Sequence, residues 1–190
     1  MNGEPAAAAT PIAFGDDRTR YDPVAIGLHW ATALMVVCQF ALAEIWGLVP
    51  RPTRQLMISS HTSIGLLLTL VIIARIAWRV TPGHKVRAVT AGWVEAASKG
   101  VHYLLYGLLA AEAGFGFLYR WSQGQSMNFF GLVIAPPFDK FSRPVHNLIA
   151  GAHDWIAWII IVLAAGHAGA ALFHHYVLRD DVLRRMLPHR

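Results

Sequence analysis

Four long apolar runs, interrupted only by isolated polar positions, dominate the chain; they cover about residues 26–48, 58–78, 101–119 and 150–175. Each meets or approaches the ~20 residues that cross about 30 Å of hydrocarbon. Lipid offers the backbone no hydrogen bonds, so a span must satisfy its own amides, and all four are predicted to be helices. No run repeats another. The expected fold class is therefore all-α, an integral membrane four-helix transmembrane bundle.

The polar stretches give the organisation. Residues 1–20 read as a flexible N-terminal tail without the basic start and apolar core of a signal peptide, and 21–190 as a single membrane domain. The 49–57 connection is short. The 120–149 segment is long for a loop and is expected to carry structure. Within it, Ser142 followed by Pro144 predicts a helix start well before the fourth apolar run. Residues 86–98 could lie in the membrane interface with Trp93 as anchor.

Composition agrees with this pattern. Of 190 residues, 55% are hydrophobic and 14% charged, against roughly 25% charged in ordinary soluble domains. A soluble fold of this size has too much surface to hide that apolar content. This excludes a disordered chain, a disulfide scaffold and a soluble enzyme. Cys38 is the single cysteine, and no CxxCH motif for covalent haem attachment occurs. Lys and Arg number 16 against 11 Asp and Glu, a formal charge of +5. These cations flank the apolar runs, so they read as topology and not as a nucleic-acid surface. Ten fall on the side of the two termini and the 79–100 loop, and five (Arg51, Arg54, Arg120, Lys140, Arg143) on the other. The positive-inside rule then places both termini in the cytoplasm.

Ten histidines in so apolar a chain require explanation. His29 lies near the inner end of helix one and His61 near the outer end of helix two. His153 and His167 share helix four, fourteen residues apart, which is four turns less about 40° and about 21 Å of rise. The two rings therefore leave nearly one face at two depths. His29 matches the depth of His167, and His61 that of His153. Two facing imidazoles, twice over, suit two haem irons with two axial ligands each, built as bundles build cofactor sites. Gly27, Gly65, Gly166 and Gly169 would let a flat macrocycle approach the backbone. Histidines hydrogen-bonded to neighbouring helices are the plainer reading, but intramembrane polar groups are costly and usually functional. A non-haem metal transporter would want three or more ligands meeting at one point.

Other polar positions are open to two readings. His146 and His174 lie on the stripe of His153 and His167, at multiples of seven, with Ile160 in the place between the two depths. They suit gating or a second substrate, or are ordinary interfacial histidines. His102 could displace His29 in the inner pair. Arg75 and Arg79 could hold haem propionates bidentately, or snorkel to lipid phosphates. Glu112 sits deep in helix three with no role assigned, and Glu44 reads as interfacial. His84, His175 and His189 read as surface groups.

Three segments, RYDPVAIGLHW (20–30), HTSIGLLLTLVIIARIAWRV (61–80) and GHAGAALFHHYVLRDDVLRRMLP (166–188), resemble the bacterial cytochrome b561 family. The resemblance runs from about residue 20 to residue 188. It implies that His29, His61, His153 and His167 are haem ligands, in agreement with the pairing from spacing, and that the chain lies in the bacterial inner membrane. The small stand-alone branch is similar in length and in its HHY tail. That likeness implies a superoxide oxidase, which takes electrons from superoxide outside and reduces ubiquinone. Larger relatives are haem subunits that dock a partner dehydrogenase or hydrogenase, which remains the alternative. The expectation is thus two haem b per chain, the inner held by His29 and His167 and the outer by His61 and His153. His174 is the candidate for the quinone side, being titratable near neutral pH.

Overall fold

The structure, a computed structural model, describes residues 20–81, 86, 92–129 and 132–187. Residues 1–19 of the expected 1–20 tail, His84, His189 and most of 86–91 lie outside the described residues.

Four long helices form as the apolar runs require, and α2, α3 and α4 are longer than their runs. Helix α1 spans Pro23–Ile45, α2 Arg51–Val80, α3 Gly92–Trp121 and α4 Arg143–Phe173. All four are long and apolar enough to cross a membrane. The helix ends have identifiable causes. The Asp22 carboxylate accepts from the Ala25 amide at 3.0 Å, and Pro23 follows at the first helical position, where its missing N–H costs nothing. Ser142 is the N-cap residue of α4 and Pro144 lies in its first turn, so this helix begins where the sequence predicted, although the serine hydroxyl makes no capping bond.

The connection between α1 and α2 is tighter than expected. A 3₁₀ turn at Trp46–Leu48 leads almost directly into α2, and Arg54 holds it by donating to the carbonyls of Trp46, Gly47 and Val49. The interfacial segment expected at 86–98 differs as well: from Gly92 onward it is the first part of α3, with Trp93 largely exposed. After α3 the chain turns at Gly124, whose φ of 71° is open to glycine without strain. It then forms a two-stranded antiparallel hairpin, β1 Met127–Phe129 with β2 Leu132–Ile134. This is the structure expected over the long 120–149 segment.

α1 packs mainly on α2 and α3 on α4, and α2–α3 and α1–α4 contacts close the ring. The end carrying both chain ends is tied by the Trp30 indole, which donates to the Met186 carbonyl at 2.7 Å. The opposite end carries the 3₁₀ turn and the hairpin. At mid-height Ile72, Leu109 and Ile160 form the buried core, with Val36, Leu68, Leu108 and Ile156 packed against it. Large apolar side chains such as Leu34, Val37, Leu70, Ile73, Trp155 and Val162 face outward. That inversion of the soluble pattern is what lipid as solvent permits, because tails are as apolar as leucine.

Candidate functional site

α4 is continuous through both of its intramembrane histidines, so their rings stand at two levels along one helix. Near the hairpin end, the His61 and His153 rings face each other with centroids 6.3 Å apart. Near the termini, His29 and His167 face each other at the same 6.3 Å. Ile160, midway between them on α4, belongs to the core layer that separates the two levels. The four rings come from three helices, α1, α2 and α4, and α3 supplies neighbours.

The spacing bears on what the pairs can hold. Imidazole nitrogens bind first-row metals at about 2 Å, and about 1.1 Å separates the nitrogen from the ring centre. A metal shared by two opposed rings therefore needs centroids about 6.3 Å apart. Both pairs meet that separation. His102 lies closer to His167, at 5.0 Å between centroids, which is too short for a metal between two directly opposed rings. Among the described residues, no three His, Cys, Asp or Glu side chains converge as a cage for a bare ion.

The hairpin-end pair is the more prepared. His61 Nδ1 lies 3.2 Å from the Gln39 carbonyl. A carbonyl can only accept, so the ring proton sits on Nδ1 and leaves the Nε2 lone pair free, the usual way a ligating histidine is oriented. Gln39 also donates its side-chain amide to the His61 carbonyl at 2.9 Å. Gly65 makes room for that amide, since a Cβ there would come within 2.8 Å of it. Trp46 lies against His61 with ring centroids 5.2 Å apart, and Tyr119 stacks against His153 at 6.2 Å. A cavity of about 660 Å³ opens here, lined by His61, His153, Gln39, Glu112, Gly116 and Arg120 among others, and that volume lies within the usual range for cofactor pockets. The donor set, the preset tautomer and the volume all fit a haem.

The termini-end pair is more crowded. Arg75 donates to His29 Nδ1 at 2.8 Å and lies over the Tyr106 ring. Arg79 lies over the rings of Tyr103 and Tyr106. The cavity beside them is about 50 Å³. With Nδ1 accepting, the His29 proton sits on Nε2, so this ring ligates a metal only once Arg75 releases it. Of the four glycines expected to admit a macrocycle, only Gly65 has a close neighbour; a side chain at Gly27, Gly166 or Gly169 would meet open space.

The remaining stripe residues have found other partners. His146 Nδ1 lies 2.8 Å from Ser122 Oγ, whose own hydrogen goes to the Tyr119 carbonyl, and Gln123 donates to His146 Nε2 at 3.2 Å. Both of its ring nitrogens are therefore engaged in joining the end of α3 to the start of α4. His174 lies in a π-turn, His174–Leu178, that extends α4 and ends at Arg179 with φ 53°. Its Nδ1 meets Asp180 Oδ2 at 2.5 Å. Partial burial pushes the Asp180 carboxyl up, but hydrogen bonds from His174 and from the Val182 amide outweigh it and hold the group below its ordinary value.

Two partners of the paired histidines were not foreseen in the sequence. Gln39 carried no signal. Glu112 did, as a lone acid in an apolar span, and its Oε1 lies 3.0 Å from His153 Nδ1.

The comparisons with known proteins give the family. The model of a family described as prokaryotic cytochrome b561 matches residues 20–189. The chain is 34% identical over 175 residues to "Cytochrome b561 homolog 1" of Escherichia coli strain K12, covering 90% of this chain and 98% of that one. It is 29% identical over 184 residues to "Cytochrome b561 homolog 2" of the same strain, covering 93% and 95%. A protein of Yersinia pestis named "Probable superoxide oxidase CybB" is 27% identical over 170 residues, covering 89% and 96%. Such membership implies haem b binding and general redox activity, so the metal-transporter alternative gives way. With its four membrane-crossing helices and its opposed histidine pairs, the chain belongs to the prokaryotic cytochrome b561 family of electron-transfer membrane proteins.

Proposed function

We propose that this chain holds two b-type haems, one between His61 and His153 and one between His29 and His167, and carries electrons from superoxide to ubiquinone across the bacterial inner membrane. The observation that supports it most is the pair of imidazole couples with equal 6.3 Å separations, one above the other along α4. Haem b, when bound, supplies a one-electron carrier at each level. In the overall reaction two superoxide ions give up one electron each and leave as oxygen, while ubiquinone takes two electrons and two protons.

The protein's own residues divide that work by position. The hairpin end would face outward and the termini inward, in keeping with the excess of Lys and Arg on the termini side. Superoxide is an anion, and Arg51, Arg54, Arg120, Lys140 and Arg143 at the hairpin end would raise its local concentration. Arg120 lines the large cavity directly. At the other end Arg75 and Arg79 supply cations for propionates, Arg75 after leaving His29. His174, seven residues beyond His167, and Asp180 would hold a proton between them where a reduced quinone needs one.

The test is an absorption spectrum of the purified oxidised protein under a flux of superoxide, followed by dithionite. Rapid growth of reduced b-type bands under superoxide is the expected result. Bands that grow only with dithionite would sink the superoxide donor and leave a haem subunit that takes its electrons from a docked dehydrogenase.

A further inference from the structure

Glu112 is the acid that the electron-transfer reading does not use. It lies mid-helix on α3 in an apolar span, with its side chain 19% exposed. A carboxyl at such a depth is expensive and requires a partner. Its Oε1 is 3.0 Å from His153 Nδ1, but the approach is off the line of a proper hydrogen bond. His153 Nδ1 and Glu112 Oε2 are both buried without a hydrogen-bond partner. A donor and an acceptor left over side by side need only a small turn of either side chain to satisfy each other.

The helix is shaped to permit that approach. Gly116 lies one turn beyond Glu112 on the same face of α3, and a Cβ there would be 3.4 Å from His153 Cε1. α3 therefore lies in van der Waals reach of the ring at the height where Glu112 approaches it. Two of the other paired rings have different companions: His61 Nδ1 faces a neutral carbonyl and His29 Nδ1 a guanidinium.

We propose that Glu112 is a positioning residue for the hairpin-end pair: its carboxyl accepts the Nδ1 hydrogen of His153, turns Nε2 toward His61, and lowers the reduction potential of the haem held there. The inference rests on the two-haem reading above. An acceptor on the distal nitrogen makes an imidazole a stronger donor to metal, and such outer partners typically change affinity or activity 10–100-fold. A stronger donor favours the oxidised iron, so losing the acceptor raises the potential.

The experiment uses the purified haem-loaded protein and its Glu112→Gln and Glu112→Leu variants. Haem per chain is counted first, and the midpoints are then read by optical redox titration, with low-spin electron paramagnetic resonance as a second signature. His153→Ala identifies which species belongs to this pair. Glu112→Leu is expected to raise that midpoint by about tenfold in the reduced-to-oxidised ratio, or 59 mV for one electron. Its resonance should shift, and the other haem should stay unchanged. Glu112→Gln keeps an acceptor oxygen, so its shift should be smaller. Two haems per chain with unmoved midpoints in both variants would overturn the inference alone. A movement of the other haem would overturn it as well. Fewer than two haems in the unsubstituted protein would remove the two-haem reading, and the inference with it. If Glu112→Leu fails to load haem, Glu112→Gln decides: a raised midpoint supports the role and an unmoved one ends it.

Discussion

Removing the four paired histidines one at a time tests the geometry most directly. If each pair holds one haem, as proposed, His61→Ala and His153→Ala should abolish the same haem species, and His29→Ala and His167→Ala the other. Haem per chain should fall from two to one in every case. The structure also sets how little the surviving haem should notice. The pairs are fourteen residues apart on an unbroken α4, a rise of about 21 Å. One unit charge acts on another at about 21 Å with roughly 0.8 kcal/mol at an effective dielectric constant of about 20. That is a factor of about four in the reduction equilibrium of the remaining haem. The assay is a haemochrome count with a redox titration on each variant. If His61→Ala and His153→Ala removed different species, or the survivor shifted by orders of magnitude, the pairing would be wrong. His102→Ala should leave both haems in place. If it removed the species that His167→Ala removes, while His29→Ala did not, His102 would be the partner of His167.

Further outcomes follow from individual contacts. Arg75→Gln takes a cation away from His29 and should lower the midpoint of the termini-end haem, read in the same titration; a rise would contradict the placement. Asp22→Ala removes the α1 cap and the acceptor of the Trp78 indole. It should cost about 2 kcal/mol in detergent unfolding, of which about 1 is the cap. Ile160→Ala opens the layer between the two levels and should cost about 2–4 kcal/mol by the same measurement. Asp180 is held below its ordinary value, so the stability it contributes is complete above the unfolded carboxylate range near ~4 and fades only as pH falls through the lower folded value. Protection of the Trp30 indole hydrogen, which reports its bond to the Met186 carbonyl, should therefore hold at pH 5 and fall only in stronger acid. A fall already at pH 5 would refute the linkage.

Much of this protein is set by local physics and is legible without coordinates. The helices follow from apolar run length, because lipid leaves an amide no partner outside its own helix. The start of α4 follows from Ser142 and Pro144. The two levels of histidine follow from a fixed 1.5 Å rise and 100° turn per residue, which place His153 and His167 without knowledge of any other helix. Which side chains meet each ring is a different matter, because those partners come from other helices and depend on rotation about each axis. Gln39 reaches His61 only because α1 and α2 turn these faces together and Gly65 clears the space. Glu112 reaches His153 only because α3 and α4 turn these faces together. Arg75 was open to propionates or lipid phosphates and lies on His29, while His146, open to gating, a second substrate or a plain interfacial place, is tied at both ring nitrogens to the end of α3. Spacing along one helix fixes depth and face; the tertiary packing of four helices decides what each face sees.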